Sequence, residues 1–159
     1  DYTMYFVVNN DLHMGKGKIA AQVGHAVQAV CEAVQTVHVF DFGCGFGFDA
    51  DTFGWASYDP AYRPNDPDPA DTILCIGVLN SISYTRRAEA IDHIMYLLKG
   101  DASRAFLVVP RNLPYTGKKC DFQRWQYYVV LEGLKSIYCD EKIEIYMLDK
   151  NSIYKDVSQ

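Results

Sequence analysis

No run of apolar residues in the 159-residue sequence approaches the roughly 20 needed to span a bilayer, so a soluble protein with no membrane partner is expected. Paired cysteines are also lacking. Cys31, Cys44, Cys75, Cys120 and Cys139 are odd in number and form no CxxC pair, which argues against both a disulfide framework and a zinc site. Free thiols fit a reducing compartment, and a cytoplasmic protein is expected, with neither metal nor cofactor. Positive charge is scarce: 15 Lys and Arg face 20 Asp and Glu, for a net charge of −5. That balance excludes a protein coated in positive charge for general nucleic-acid binding, while leaving room for a local basic patch. There is no internal repeat, and the visible N-terminus lacks the basic-then-apolar layout of a secretion signal.

What is present is an ordinary globular composition, 49% hydrophobic and 22% charged, with an aromatic share of 14%. The length fits one domain over 1–159 with a core of its own. Residues 5–8 form a short apolar run that reads as a buried strand. A Gly-punctuated turn follows at 14–17, and then a long helix whose apolar residues Ile19, Val23, Ala26, Val27, Val30, Val34 and Val37 keep helical spacing. Residues 40–71 change character. Rich in Gly, Pro and Asp and without a sustained period, they read as a long loop insertion whose aromatics pack on the body. The Gly43-Cys44-Gly45-Phe46-Gly47 run within it is discarded as a dinucleotide loop, because it is read as lacking the strand-to-helix setting such a loop requires. Asp41-Phe42-Gly43 alone is likewise no kinase signature.

Regular patterns then resume. A strand is predicted over 72–78, a helix over 85–99 with Thr85 as N-cap and Gly100 as its stop, and a strand over 105–109 ended by Pro110. A helix is predicted over 120–136, against the weight of its Tyr127-Tyr128-Val129-Val130 run, and a strand over 142–148. The expected fold is α/β: a single compact domain with a roughly four-stranded mixed sheet flanked by helices.

On a helix starting near Gly17, Lys18, Gln22 and His25 fall at i, i+4 and i+7 and line one stripe. A Lys, an amide and an imidazole near unpaired helix N–H groups suit an anion or a carbonyl oxygen, and Lys16 adds charge there. The plainer alternative is a basic turn followed by a solvated helix flank. The spacing does not make a Walker loop.

Asp11, then Met14-Gly15-Lys16-Gly17-Lys18, Ala20-Ala21-Gln22 and His25-Ala26, resembles the opening signature of type-II (archaeal and eukaryotic) peptidyl-tRNA hydrolases. The resemblance implies a small α/β domain with a four-stranded mixed sheet that hydrolyses the ester between a peptide and the 3′ ribose of tRNA without a metal. It implies Lys18 as a catalytic-site residue, with Lys16, Gln22, His25 and Asp11 shaping the substrate site. The family's Asp-Ala-Gly-x-Thr segment reads Asp149-Lys150-Asn151-Ser152 here. Asp149 falls at the catalytic position and Ser152 could supply a hydroxyl. Lys18 nearby would hold Asp149 ionised, so orienting water suits it better than acting as a base. The plainer reading of Asp149 is a turn former at a strand end. The family's closing strand is most similar to residues 72–78, in mid-chain, so the sheet is expected to close with an internal segment.

An RNA partner, peptidyl-tRNA or a tRNA acceptor end, calls for cationic and stacking groups. Arg111, Lys118, Lys119 and Arg124, interleaved with Tyr115, Phe122 and Trp125, are the candidates; a solvated loop over packed aromatics is the plainer alternative. A homodimer is compatible with the sequence. Two further functions compete with hydrolysis of peptidyl-tRNA: a catalytically silent relative acting as a binding or scaffold module, and an esterase or amidase with another acyl substrate.

Overall fold

The computed structural model describes residues 38–65, 67–120 and 124–158. A six-stranded mixed sheet is the centre of the fold, in the order β2-β1-β3-β4-β9-β8. Its members are β1 (Val39–Phe42), β2 (Ala56–Tyr58), β3 (Thr72–Ile76), β4 (Arg104–Pro110), β8 (Lys135–Cys139) and β9 (Ile143–Leu148). The first four are parallel to one another. β9 then runs antiparallel to both β4 and β8, with a register irregularity between Ser136 and Tyr138. Two small antiparallel pairs lie outside this sheet: β5 (Lys118–Lys119) with β6 (Trp125–Gln126), and β7 (Leu131–Glu132) with β10 (Lys155–Asp156).

The central strands are apolar on both faces, as strands buried on both sides must be. Phe40 and Phe42 of β1, Ile73 and Cys75 of β3, and Ala105, Leu107 and Val109 of β4 join one core cluster. Val39, Leu74, Phe106, Val108 and Ile145, from the alternate positions, join the other. The helix α2 (Tyr84–Leu97) covers the first face with Ile91, Ile94 and Leu97. Burying one such side chain contributes about 1.5–3 kcal/mol.

Three expectations are corrected. Among the described residues the sheet already has six strands rather than four. Residues 40–71 are not one loop: they hold most of β1, a six-residue helix α1 (Phe48–Phe53) and β2, joined by short loops, and among the described residues the part after Tyr58 has neither strand nor helix. The pattern is hidden because Asp41 interrupts the apolar run of β1. In addition, α1 is too short to display a period, and tertiary contacts rather than propensity fix it. The expected helix over 120–136 is also absent among the described residues, which form β6, β7 and the start of β8. There the β-branched and aromatic content of residues 127–130 describes the local backbone better than the apolar spacing does.

Other expectations are met with small shifts. The strands read at 72–78, 105–109 and 142–148 are β3, β4 and β9, and the helix read at 85–99 is α2, with Ser83 rather than Thr85 as its N-cap. The segment 72–78 lies inside the central sheet, as β3 between β1 and β4. The strand and helix read within residues 5–37 lie outside the described residues.

Candidate functional site: a glycine loop at the sheet's switch point

The chain leaves β1 for β2 on one side and returns to form β3 on the other, so the strand order reverses between β1 and β3. In an open sheet of this kind a crevice forms at that point, beyond the carboxyl ends of the strands. The 43–47 loop lies there, joining β1 directly to α1. This is the strand-to-helix setting that the sequence pattern had concealed.

Three glycines shape the loop, with φ of 77° at Gly43, 56° at Gly45 and 79° at Gly47. Two of them are also pressed by neighbours. A Cβ on Gly43 would stand 2.3 Å from Cγ2 of Val78, just past the end of β3, and one on Gly47 would meet the Arg63 guanidinium at 2.1 Å. The Gly43 and Cys44 N–H groups both donate to the Tyr58 carbonyl, at 2.8 and 3.1 Å.

Asp59 follows the end of β2. Its Oδ2 accepts the Gly45 N–H at 3.1 Å, and its Oδ1 accepts the N–H groups of Ala61 and Tyr62 at 2.9 and 3.1 Å. A carboxylate offers about four lone-pair sites, so Asp59 keeps acceptor capacity beyond these three bonds. Arg63 latches the two loops together. It donates to both Asp51 oxygens, at 2.8 and 2.6 Å, to Ser57 Oγ at 3.0 Å and to the Phe46 carbonyl at 2.9 Å.

The electrostatics of this rim are acidic. Burial, with the nearby charges of Asp49 and Asp59, pushes the Asp41 carboxyl up to about 6 despite the opposing pull of Arg63. Burial and Asp41 likewise hold the Cys44 thiol above its usual range, so it is no ready nucleophile. Asn80, just after β3, is buried beside Gly77, and its Oδ1 has no hydrogen-bond partner. A buried acceptor of that kind is costly in a folded protein unless something uses it.

The sequence-predicted residues are distributed differently. Asp11, Lys16, Lys18, Gln22 and His25 lie outside the described residues. Asp149 and Ser152 are brought together in the turn after β9: the Asp149 N–H donates to Ser152 Oγ at 2.8 Å, and Asp149 Oδ1 accepts from the Asn151 N–H and the Ser152 hydroxyl at 2.9 and 3.0 Å. Because β9 is antiparallel, pairing Leu148 with Ala105, this turn lies at the amino-terminal rim of β4, opposite the glycine loop. The contacts of Asp149 are those of a turn former.

Arg111, just past β4, is nearly buried and ion-paired with Glu144, and also donates to Tyr146 Oη at 2.8 Å. Burial works against ionisation of Glu144, but hydrogen bonds from Ser136 and Arg111 outweigh it and hold its carboxyl low. Lys118, Lys119 and Arg124 are exposed on or beside the β5–β6 hairpin. Sequence reasoning missed Asp41, Asp59, Arg63 and Asn80. The signal for them was the alternate glycines at 43, 45 and 47 after a short apolar run.

Two kinds of likeness overlap in this chain. Residues 2–56 match the family described as Peptidyl-tRNA hydrolase PTH2. Of those, only 38–56 are described, and they form β1, the glycine loop and α1. No curated protein matches the sequence. Among solved structures, the chain is similar to the 1,6-didemethyltoxoflavin-N1-methyltransferase of Burkholderia thailandensis, solved with 1,6-didemethyltoxoflavin and S-adenosylhomocysteine bound. That likeness has a TM-score of 0.52 at 14% identity, over 80% of this chain and 77% of the other. It also resembles the magnesium protoporphyrin IX methyltransferase of Synechocystis PCC 6803, with S-adenosylhomocysteine bound, at a TM-score of 0.48 and 15% identity over 90% and 88% of the two chains. At such identities the first likeness speaks for the fold alone. No described helix is long and apolar enough to cross a membrane.

Proposed function

We propose that the crevice between β1 and β3 binds a positively charged nucleoside of the S-adenosylmethionine type and that the chain is a methyltransferase. One observation carries this reading: a glycine loop at a topological switch point, ringed by Asp41, Asp49 and Asp59. Glycine loops at this position receive nucleotides, and an acidic residue after the second strand suits a ribose diol. The charge discriminates among nucleotides. Among the described residues a pyrophosphate would meet these carboxylates, and Arg63, beside the loop, is held by Asp51. A nucleoside carrying a sulfonium and an ammonium meets complementary charge instead. The likeness of fold to a methyltransferase with bound S-adenosylhomocysteine supports the same reading.

The residues divide the work simply. Asp59 accepts from the ribose hydroxyls. The positive-φ glycines let the backbone approach the nucleoside where a side chain would stand in the way. Asp41 and Asp49 supply the negative field. The bound group itself would supply an activated methyl. Titration calorimetry of the full chain with S-adenosylhomocysteine tests the reading. Micromolar binding is expected, weakened at least about tenfold in Asp59→Ala, for the loss of a charged hydrogen-bond acceptor. Absence of binding in the unaltered chain overturns it.

A second reading is favoured by the match over residues 2–56: hydrolysis of peptidyl-tRNA, with Lys18 stabilising the oxyanion and Asp149 orienting water. Lys16, Gln22, His25, Asp11 and Ser152 would shape its substrate site. Removing such a stabiliser typically costs roughly a hundred- to thousand-fold in rate. Release of acylated amino acid from a model aminoacyl-tRNA, compared between the unaltered chain and Lys18→Ala, is expected to show that loss. Equal rates in both would exclude the role.

A further inference from the structure

We propose that Tyr115, its partner Tyr128 and the β5–β6 hairpin form a seat for single-stranded nucleic acid, a base of which accepts the methyl group. The proposal rests on the methyltransferase reading and adds the class of its substrate. The carboxyl end of β4 lies on the same rim as the glycine loop, two strands away from β1, or about 10 Å at the usual strand spacing. From Pro110 the chain runs on through Arg111 to Tyr115 of the aromatic pair.

The aromatic pair is anchored by a cation and exposed at its outer ring. Arg111, fixed by Glu144 and Tyr146, lies with its guanidinium carbon 4.6 Å from the Tyr128 ring centroid. Tyr115 lies 4.4 Å from Tyr128, centroid to centroid, with the rings tilted by 43°, and is 72% exposed. An exposed ring normally gains little by being held in place. Here a cation-backed neighbour holds it, and its exposed face is free to receive a ligand's ring. Its backbone is held as well. The Gly117 N–H donates to the Pro114 carbonyl at 2.8 Å, and a Cβ on Gly117 would stand 2.8 Å from the Gln126 carbonyl oxygen. The turn bearing Tyr115 is thereby pressed against β6.

The hairpin adds charge and a second ring. Lys119 stands directly across from Trp125, Lys118 across from Gln126, and Lys118, Lys119, Arg124 and Trp125 are all exposed. Rings to stack bases and cations to meet phosphates are the two requirements of a single-strand surface. The charge distribution along the chain agrees. Between residues 111 and 126, past the end of β4, four Lys and Arg accompany one Asp, whereas between 41 and 59 there are four Asp and no Lys or Arg. An acidic end suits a cationic donor and a basic end suits a polyanionic acceptor. This local contrast is compatible with the net charge of −5. In the transfer, a nitrogen of the base gains the methyl as the carbon–sulfur bond breaks; the sulfur keeps the electron pair and the nitrogen's proton leaves to water.

The test is fluorescence anisotropy of the full chain with a short labelled single-stranded RNA, and a DNA of the same sequence, beside calorimetry with S-adenosylhomocysteine. Heparin and poly-glutamate serve as polyanions without bases. Oligonucleotide binding is expected, about tenfold weaker in Tyr115→Ala, the order typical of one lost stacking contact. The Lys118→Glu, Lys119→Glu double variant is expected to bind more weakly and with a shallower salt dependence. Both variants should keep S-adenosylhomocysteine binding, which shows that they are folded. Oligonucleotide binding unchanged by Tyr115→Ala, or heparin or poly-glutamate binding as tightly as the oligonucleotide, overturns the proposal. So does an unaltered chain that binds S-adenosylhomocysteine but no oligonucleotide, and in that case the methyltransferase reading stands. Oligonucleotide binding without S-adenosylhomocysteine binding would instead remove the reading on which the proposal rests.

Discussion

Gly43 has no side chain, and Val78 takes the space one would need. Two penalties therefore meet at this residue: φ of 77°, and a Cβ position 2.3 Å from Val78 Cγ2. A left-handed backbone disfavours alanine by about 1 kcal/mol, and overpacking adds about 1–3 kcal/mol. Gly43→Ala should thus lose about 2–4 kcal/mol in a urea melt. Adding Val78→Ala should return only the part due to crowding, because the backbone penalty remains. Full recovery in the double variant would show that φ at this position carries no cost. The same logic explains why the residue was hard to place from sequence. A glycine letter does not say whether it is required by φ, by a neighbour or by neither, and the neighbour here is 35 positions away in the chain.

Legibility varied among the elements according to length and purity of pattern. β3, β4, β9 and α2 are long enough and apolar enough to read directly, and the structure has them within two residues of the expected ends. β1, α1 and β2 are four, six and three residues long, below the length at which a period separates from chance. They exist because the sheet and the Arg63 latch hold them, and such long-range support leaves little trace in local sequence. The candidate site inherits that difficulty. Asp41, the glycine loop and Asp59 all sit on the short elements. Residues 127–130 illustrate the converse error. Apolar spacing suggested a helix, but Tyr127 and Tyr128 turn to different partners, the first over Arg87 and the second over Arg111, as successive residues of an extended chain do.

At the scale of the whole molecule, one buried charge gives stability a pH dependence. Asp41 has its pKa raised from 3.8 to about 6 by burial and by Asp49, with a further push from Asp59. The folded chain therefore holds this proton more tightly than the unfolded chain does. The associated stability is fully present below about pH 4 and is lost as pH rises through about 6, a span worth about 3 kcal/mol. Asp41→Asn should remove that slope. Its stability relative to the unaltered chain should grow from near zero at about pH 4 to about 3 kcal/mol at pH 7, measured by urea melts across the range. Parallel stability profiles for the two chains would exclude Asp41 as the group responsible. At neutral pH the cost of the unaltered Asp41 falls on the unliganded state, where a cationic nucleoside would relieve it.

The two edges of the central sheet, as the described residues form it, also bear on how copies of the chain meet one another. One edge is β2, with only three residues, beyond which the Asp59–Arg63 bridge folds back on itself. The other is β8, whose pairing is broken by the irregularity between Ser136 and Tyr138 and which begins with an exposed lysine. A short strand at one margin and a kinked, charged one at the other offer a second chain little to add to, which is how β-rich proteins guard against edge-to-edge aggregation.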